Sequence, residues 1–146
     1  YTDASGLGMG MWFPDDHFAL QCPLPSDPPH DTIFFFEALA VCSAIHLVAE
    51  MDEVPSRLLI YTDNMNTVAM FNSLWAKPVY NSILLSAMDV LLRHRIDLRV
   101  EHIAGEKNVM VDALSRYENE RVLQLLPGVE IFHFEPPRDA LGEVKK

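Results

Sequence analysis

Apolar and polar positions along this chain change their period several times, and each change marks an element. The opening Tyr1-Thr2-Asp3-Ala4-Ser5 has the character of a strand already under way. Gly6, Gly8 and Gly10 then fall at every second position ahead of Met11-Trp12-Phe13. Glycines at this spacing permit a tight hairpin and a strand that another backbone approaches closely. They are no dinucleotide fingerprint, because G-x-G-x-x-G is absent and no helical pattern opens behind them. Phe18 to Cys22 reads as a third short strand, and Pro23 to Asp31, with four prolines in nine residues, as a loop. From about Phe34 to Met51 apolar residues occupy nearly every helical face, so this helix is expected to be buried, capped by Asp31 or Thr32.

Past Pro55, the run Arg57-Leu58-Leu59-Ile60-Tyr61-Thr62 predicts a central strand ending at Asp63. Asn64 to Leu74 follows as a short helix. Pro78 suits the first turn of another helix running roughly from Val79 to His94. Leu98 to Ile103 alternates as a strand does, Gly105 to Asn108 makes a turn, and Val109 to Tyr117 forms a last helix. The order βββ-α-β-α-α-β-α predicts an α/β fold: a mixed five-stranded sheet with helices on both faces. Residues 1–118 are read as the domain, and 119–146 as a C-terminal extension or linker toward a downstream domain, with one short strand near Val129 to Phe134. Both chain ends look cut from something longer.

With 146 residues, 49% of them hydrophobic, the chain can bury one sizeable core. No apolar run is long enough for a membrane helix, and nothing at the N-terminus resembles a signal peptide, so an intracellular site, cytoplasmic or nuclear, is expected. Cys22 and Cys42 form no close-spaced pair and are read as reduced thiols. The net charge of −10, from 21 acids against 11 Lys and Arg, runs against strong nucleic-acid binding by the domain alone.

The same acids supply the candidate chemistry. Asp3 lies on the first strand, Glu37 in the first turn of the buried helix, Asp63 at the end of the fourth strand and Asp112 in the last helix. The carboxyl ends of strands form the usual functional edge of such sheets. Glu37 stands inside Phe34-Phe35-Phe36-Glu37-Ala38-Leu39-Ala40, where a carboxylate needs a partner or a metal. Clustered carboxylates repel unless a divalent cation joins them, and oxygen-only ligands suit Mg²⁺ or Mn²⁺. The remaining histidines and the seven methionines have no ligand-like spacing. Trp75 and Tyr80 flank Lys77-Pro78 and read as packing residues or as platforms for nucleic-acid bases.

Four blocks carry a resemblance. Tyr1-Thr2-Asp3-Ala4-Ser5 with its glycines, Glu37-Ala38-Leu39-Ala40, Tyr61-Thr62-Asp63-Asn64, and the stretch from His102-Ile103-Ala104-Gly105 to Asp112-Ala113-Leu114-Ser115-Arg116 occur in that order. Together they resemble the ribonuclease H domains of retrotransposon reverse transcriptases, of gypsy-like or tyrosine-recombinase type and fungal in look. The resemblance implies a ribonuclease H-like fold and a two-metal phosphodiester hydrolase. It implies that Asp3, Glu37, Asp63 and Asp112 ligate two Mg²⁺ ions, for which Mn²⁺ can substitute. His102, ten residues before Asp112, matches the spacing of a mobile catalytic histidine in relatives, although it can equally belong to the strand. Ser5, Asn64 and Asn108 are expected to contact substrate or support the acids.

The implied substrate is the RNA strand of an RNA/DNA hybrid. The implied partners are an upstream reverse transcriptase domain and a downstream recombinase or integrase domain of the same polyprotein, with no membrane. Two alternatives stand beside this. One is a catalytically inactive remnant of the fold, serving as a structural or nucleic-acid-positioning module, which the acidic charge and the short first strand favour. The other is a different nuclease of the superfold, such as an integrase-like enzyme, against which the order Asp, Glu, Asp, Asp argues. No basic, Trp-rich helix lies between Leu74 and Leu98, where some relatives carry a substrate-gripping protrusion.

Overall fold

A computed structural model describes residues 1–142. Strands β1 (Thr2–Ala4), β2 (Gly8–Phe13) and β3 (Phe18–Pro23) form an antiparallel meander with Thr2 opposite Met11 and Met9 opposite Cys22. The helix α1 (Ile33–Ala49) follows, then β4 (Arg57–Thr62), α2 (Met65–Ser73), a 3₁₀ turn Pro78–Tyr80 and α3 (Asn81–His94). The chain continues through β5 (Asp97–His102), a 3₁₀ turn Gly105–Lys107, α4 (Val109–Ser115), α5 (Asn119–Leu125) and β6 (Glu130–His133). The expected order of elements is therefore present, followed by α5, which was not expected, and by β6 where a short strand was.

The strands form two ladders, in the orders β1-β2-β3-β6 and β4-β5, rather than one continuous five-stranded ladder. β4 and β5 are parallel, as are β3 and β6, so the sheet is mixed. At the seam, β1 lies against β4 without a ladder. The Thr2 hydroxyl donates to the Tyr61 carbonyl at 3.3 Å, and the Tyr1 and Tyr61 rings stack at 4.9 Å. Side chains thus close a gap that backbone hydrogen bonds leave open.

Two cores lie on the two faces. The larger gathers α1, α3 and the inner sides of the strands around Met9, Met11, Phe35, Leu39, Ile45 and Ile83. The smaller packs α4 and α5 on the other face of the meander through Trp12, Val111, Leu114 and Val122. Gly10 explains how α4 comes so close: a Cβ there would lie 2.7 Å from Leu114 Cβ and 3.0 Å from the Val111 carbonyl. The alternating glycines of β2 thus admit a helix backbone against the strand. α1 begins where Thr32 caps it, its side chain accepting from the Phe35 N–H, and is buried on almost all sides, Glu37 included.

Residues 119–142 are built into this domain rather than hanging from it. β6 extends the meander beside β3, Val122 and Val129 join the smaller core, and Phe134 and Ala140 join the larger. Ser82 and Ser86 of α3 donate to the Ala140 carbonyl and to Asp139, and His46 of α1 meets Ser86 at 2.8 Å. Cys22 and Cys42 are unbridged and buried. Among the described residues no helix is long and apolar enough to cross a membrane.

Candidate functional site

Three of the four expected acids meet where β1, α1 and β4 converge. Ligand atoms of Asp3, Glu37 and Asp63 all lie within 4.8 Å of one another. Each arrives by a different route. Asp3 is the central residue of β1, opposite Gly10. Glu37 is the fifth residue of α1, one residue further in than the sequence reading placed it, because the helix begins at Ile33. Asp63 follows the last residue of β4, just before Asn64 caps α2 by accepting from the Thr67 N–H at 2.8 Å. This strand end is the carboxyl edge, where side chains project past the ladder toward solvent.

Burial makes the cluster electrostatically costly. Asp3 and Glu37 are each only 3% exposed. At an effective dielectric of 20, two carboxylates about 4.8 Å apart repel by about 3–4 kcal/mol. Desolvation pushes both carboxyls above the ordinary range. For Glu37, the Asp3 charge and a hydrogen bond to Asp3 raise it further. The Ala4 N–H donates to Glu37 Oε1 at 3.1 Å, and the Thr62 hydroxyl approaches Oε2 at 3.5 Å. Two hydrogen-bonding groups cannot offset three clustered acids. A donor set made only of carboxylate oxygens, half-open to solvent at Asp63, fits a hard divalent cation such as Mg²⁺ or Mn²⁺.

Asp112 does not share this tight group. It lies in the first turn of α4 and pairs with Arg116 Nε at 3.0 Å. Its charge still reaches Asp3 and helps to raise that carboxyl. His102 is the last residue of β5, exposed and in register with Thr62, so it stands beside the strand end from which Asp63 projects. Asn64 spends its carbonyl oxygen on Thr67. Asn108 is buried and donates to the Thr2 carbonyl at 3.1 Å, while its Oδ1 has no partner. It therefore ties the start of α4 to β1. Ser5 is also buried: its hydroxyl donates to the Ser115 carbonyl and accepts from the Leu7 and Gly8 N–H groups. Those bonds tie Ser5 to α4 and to the turn between β1 and β2.

Several groups at the site escaped the sequence reading. Thr62 is fully buried and sits between Glu37 and the Asn64 N–H, which donates to its hydroxyl at 3.3 Å. Ser115 brings its hydroxyl to 3.4 Å from Asp3 Oδ2. Gly105 comes so near Asp63 that a Cβ would lie 3.2 Å from Oδ2. The available signal was a polar or glycine residue inside the blocks Tyr61–Asn64 and His102–Arg116, with Thr62 next to Asp63 and Ser115 three residues after Asp112.

Fold and site together define an α/β domain with an acidic centre on its carboxyl edge. Its architecture is that of ribonuclease H. The chain superposes with a TM-score of 0.58 on RNase H1 from the halophilic archaeon Halobacterium salinarum NRC-1, at 14% identity, covering 83% of this chain and 96% of that one. It superposes with a TM-score of 0.57 on the N-terminal RNase H domain of rv2228c from Mycobacterium tuberculosis, at 12% identity, covering 85% and 92%. At these identities the likeness shows the fold. No family model and no curated protein matches the sequence.

Proposed function

We propose that the chain is a metal-dependent ribonuclease H, hydrolysing the RNA strand of RNA/DNA hybrids during reverse transcription of a retroelement. The observation that carries this is the convergence of Asp3, Glu37 and Asp63 within 4.8 Å on the carboxyl edge of a ribonuclease H-like fold. Asp3, Glu37 and Asp63 would hold the divalent ions, with Asp112 joining once its carboxylate leaves Arg116. Bound there, the ions would supply an activated water and neutralise charge on the phosphodiester. The chain's own residues keep Glu37 oriented through the Ala4 N–H, shield Asp3 behind α4, and leave His102 exposed beside the site as a group able to move a proton.

The retroelement setting rests on the four sequence blocks. With it come an upstream reverse transcriptase domain, a downstream recombinase or integrase domain and an intracellular site. A second reading, an inactive ribonuclease H-fold module that positions nucleic acid, is favoured by the Asp112–Arg116 pairing, which holds the fourth acid apart. Cleavage of an end-labelled RNA/DNA hybrid in Mg²⁺ and in Mn²⁺ separates the two, run beside duplex DNA, duplex RNA and the Asp63→Asn variant. Hybrid-only cleavage that falls by at least about a hundredfold in Asp63→Asn establishes the nuclease; a folded chain that binds hybrid and cuts nothing establishes the module.

A further inference from the structure

β5 is the outer strand of its ladder, with no strand on its far side among the described residues. Which of its backbone groups face outward can be read from the bonds it already makes. In a parallel strand, the N–H and C=O of one residue point to one side and those of the next residue to the other. Asp97 and Ile103 donate to the Ser56 and Thr62 carbonyls on the β4 side. Odd-numbered residues of β5 therefore face β4, and Leu98, Val100 and His102 present their N–H and C=O to the open side. Such a row is a template for another strand, and folded proteins cover or disrupt it.

A side chain meets that row at its centre. Asn72, the eighth residue of α2, donates from Nδ2 to the Val100 carbonyl at 2.7 Å and accepts on Oδ1 from the Val100 N–H at 3.1 Å. A carboxamide carries the donor and acceptor of a peptide group, so Asn72 fills the place of a partner residue in an antiparallel pair. It is exposed, yet its amide turns to the strand edge. A groove of about 740 Å³ borders the same edge, with Asn72, Leu98, Arg99 and Glu101 among its walls.

The strand that Asn72 holds off can be read from charge. Arg99 and Glu101 lie on one face of β5 and pair with each other at 2.6 Å. Were two β5 strands to meet antiparallel with Val100 opposite Val100, Leu98 of each would face His102 of the other, and every outward group would find a partner. Arg99 of each copy would then lie opposite Glu101 of the other, in the close pairs that share no backbone hydrogen bond. Sliding the centre by one residue sets Arg99 against Arg99 or Glu101 against Glu101. Charge thus favours the register centred on Val100, and β5 of a second copy is complementary to this edge.

We propose that Asn72 closes the β5 edge against antiparallel pairing with β5 of a second copy, and so keeps the chain monomeric. Asn72 does this whatever the chemistry of the acids. The closed edge still matters to them, because pairing would engage the backbone of His102, which is in register with Thr62 beside the strand end that bears Asp63.

Replacing Asn72 tests this. In sedimentation equilibrium, Asn72→Ala is expected to dimerise at least about tenfold more tightly than the wild-type chain, with amide exchange at Leu98 and His102 slowing as concentration rises. Asn72→Asp keeps an acceptor for the Val100 N–H but repels the Val100 carbonyl, and it gives the same comparison where the alanine variant does not melt cooperatively. Adding Arg99→Glu sets acid against acid across the pairing and should abolish the dimer; adding Glu101→Arg as well should restore it. Asn72 variants that stay monomeric, or a wild-type chain that dimerises as tightly, overturn the proposal. A dimer that Arg99→Glu leaves intact is held by another surface and overturns it too. Slowed exchange in the variant that does not depend on concentration gives the edge to a segment of the same chain, and overturns the second copy as its partner.

Discussion

Glu37 holds a carboxyl group where neither water nor a cation of the chain can stabilise its charge, and its titration should dominate the metal-free protein. In the unfolded chain Asp3 and Glu37 lose their protons near the ordinary carboxylate range, at about pH 4. In the fold, desolvation and mutual repulsion keep protons on them to higher pH. The folded state therefore binds more protons across that window, and metal-free stability falls as pH rises from about 4 through neutrality. Mg²⁺ must displace those protons, so the rise in Tm on adding Mg²⁺ should be larger at pH 8 than at pH 6. Thermal melts at both pH values, with Mg²⁺ and with a chelator, read this directly, and an equal rise at both would count against the cluster as the binding site. Glu37→Gln keeps an oxygen for the Ala4 N–H but loses the charge. Its metal-free Tm at pH 8 should rise by a few degrees, corresponding to about 1 kcal/mol, while its response to Mg²⁺ should vanish. A variant that still gains stability from Mg²⁺ would remove Glu37 from the ligand set.

Elements bring the acids together, and α4 packs closely against β2 at Gly10. Gly10 has no Cβ because Leu114 and the Val111 carbonyl occupy that space, and backbone cannot yield as a flexible side chain can. Gly10→Ala should cost about 1–3 kcal/mol through overpacking. It should also disturb the cluster, because Asp3 is the cross-strand partner of Gly10 and α4 carries Asp112. Urea unfolding of Gly10→Ala measures the first effect and Mg²⁺ affinity the second; an unchanged midpoint would mean that α4 can lift from the sheet at no cost. The close approach was legible in the alternation Gly6, Gly8, Gly10, but its author, a helix from a hundred residues further on, was not. Helix limits were legible to within a few residues wherever a cap or proline marked them, as at Thr32, Asn64 and Pro78.

On the scale of the whole molecule, the C-terminal segment is structural. Ending the chain after Gly128 would remove β6 from its place beside β3 and strip Phe134 and Ala140 from the larger core. Losing one buried aromatic side chain alone costs about 3–5 kcal/mol, against a total of about 5–15 for a domain. The shortened chain should lose its cooperative melting transition in circular dichroism, and Phe134→Ala should keep the transition at a lower Tm. A shortened chain that melts as the full one does would return this segment to the role of a linker. The net charge of −10 acts at the same scale. It repels a polyanion, so the site's cations and a neighbouring basic surface would have to supply the attraction for nucleic acid.

The sequence by itself determined the order of the elements and the buried character of α1, and it singled out Asp3, Glu37 and Asp63, which the fold brings together. Each of these is written in local periodicity or in a charged residue set among apolar ones. It could not determine that Asp112 turns to Arg116, that Ser5 is tied to α4 and to its own turn, or that Thr62 and Ser115 line the cluster. Short-range pattern marked a strand near Val129 to Phe134, but not that Glu130-Ile131-Phe132-His133 would pair with β3. Those outcomes depend on which side chains meet across the seam and the two cores. Such meetings join residues tens of positions apart, and only the closed tertiary packing decides them.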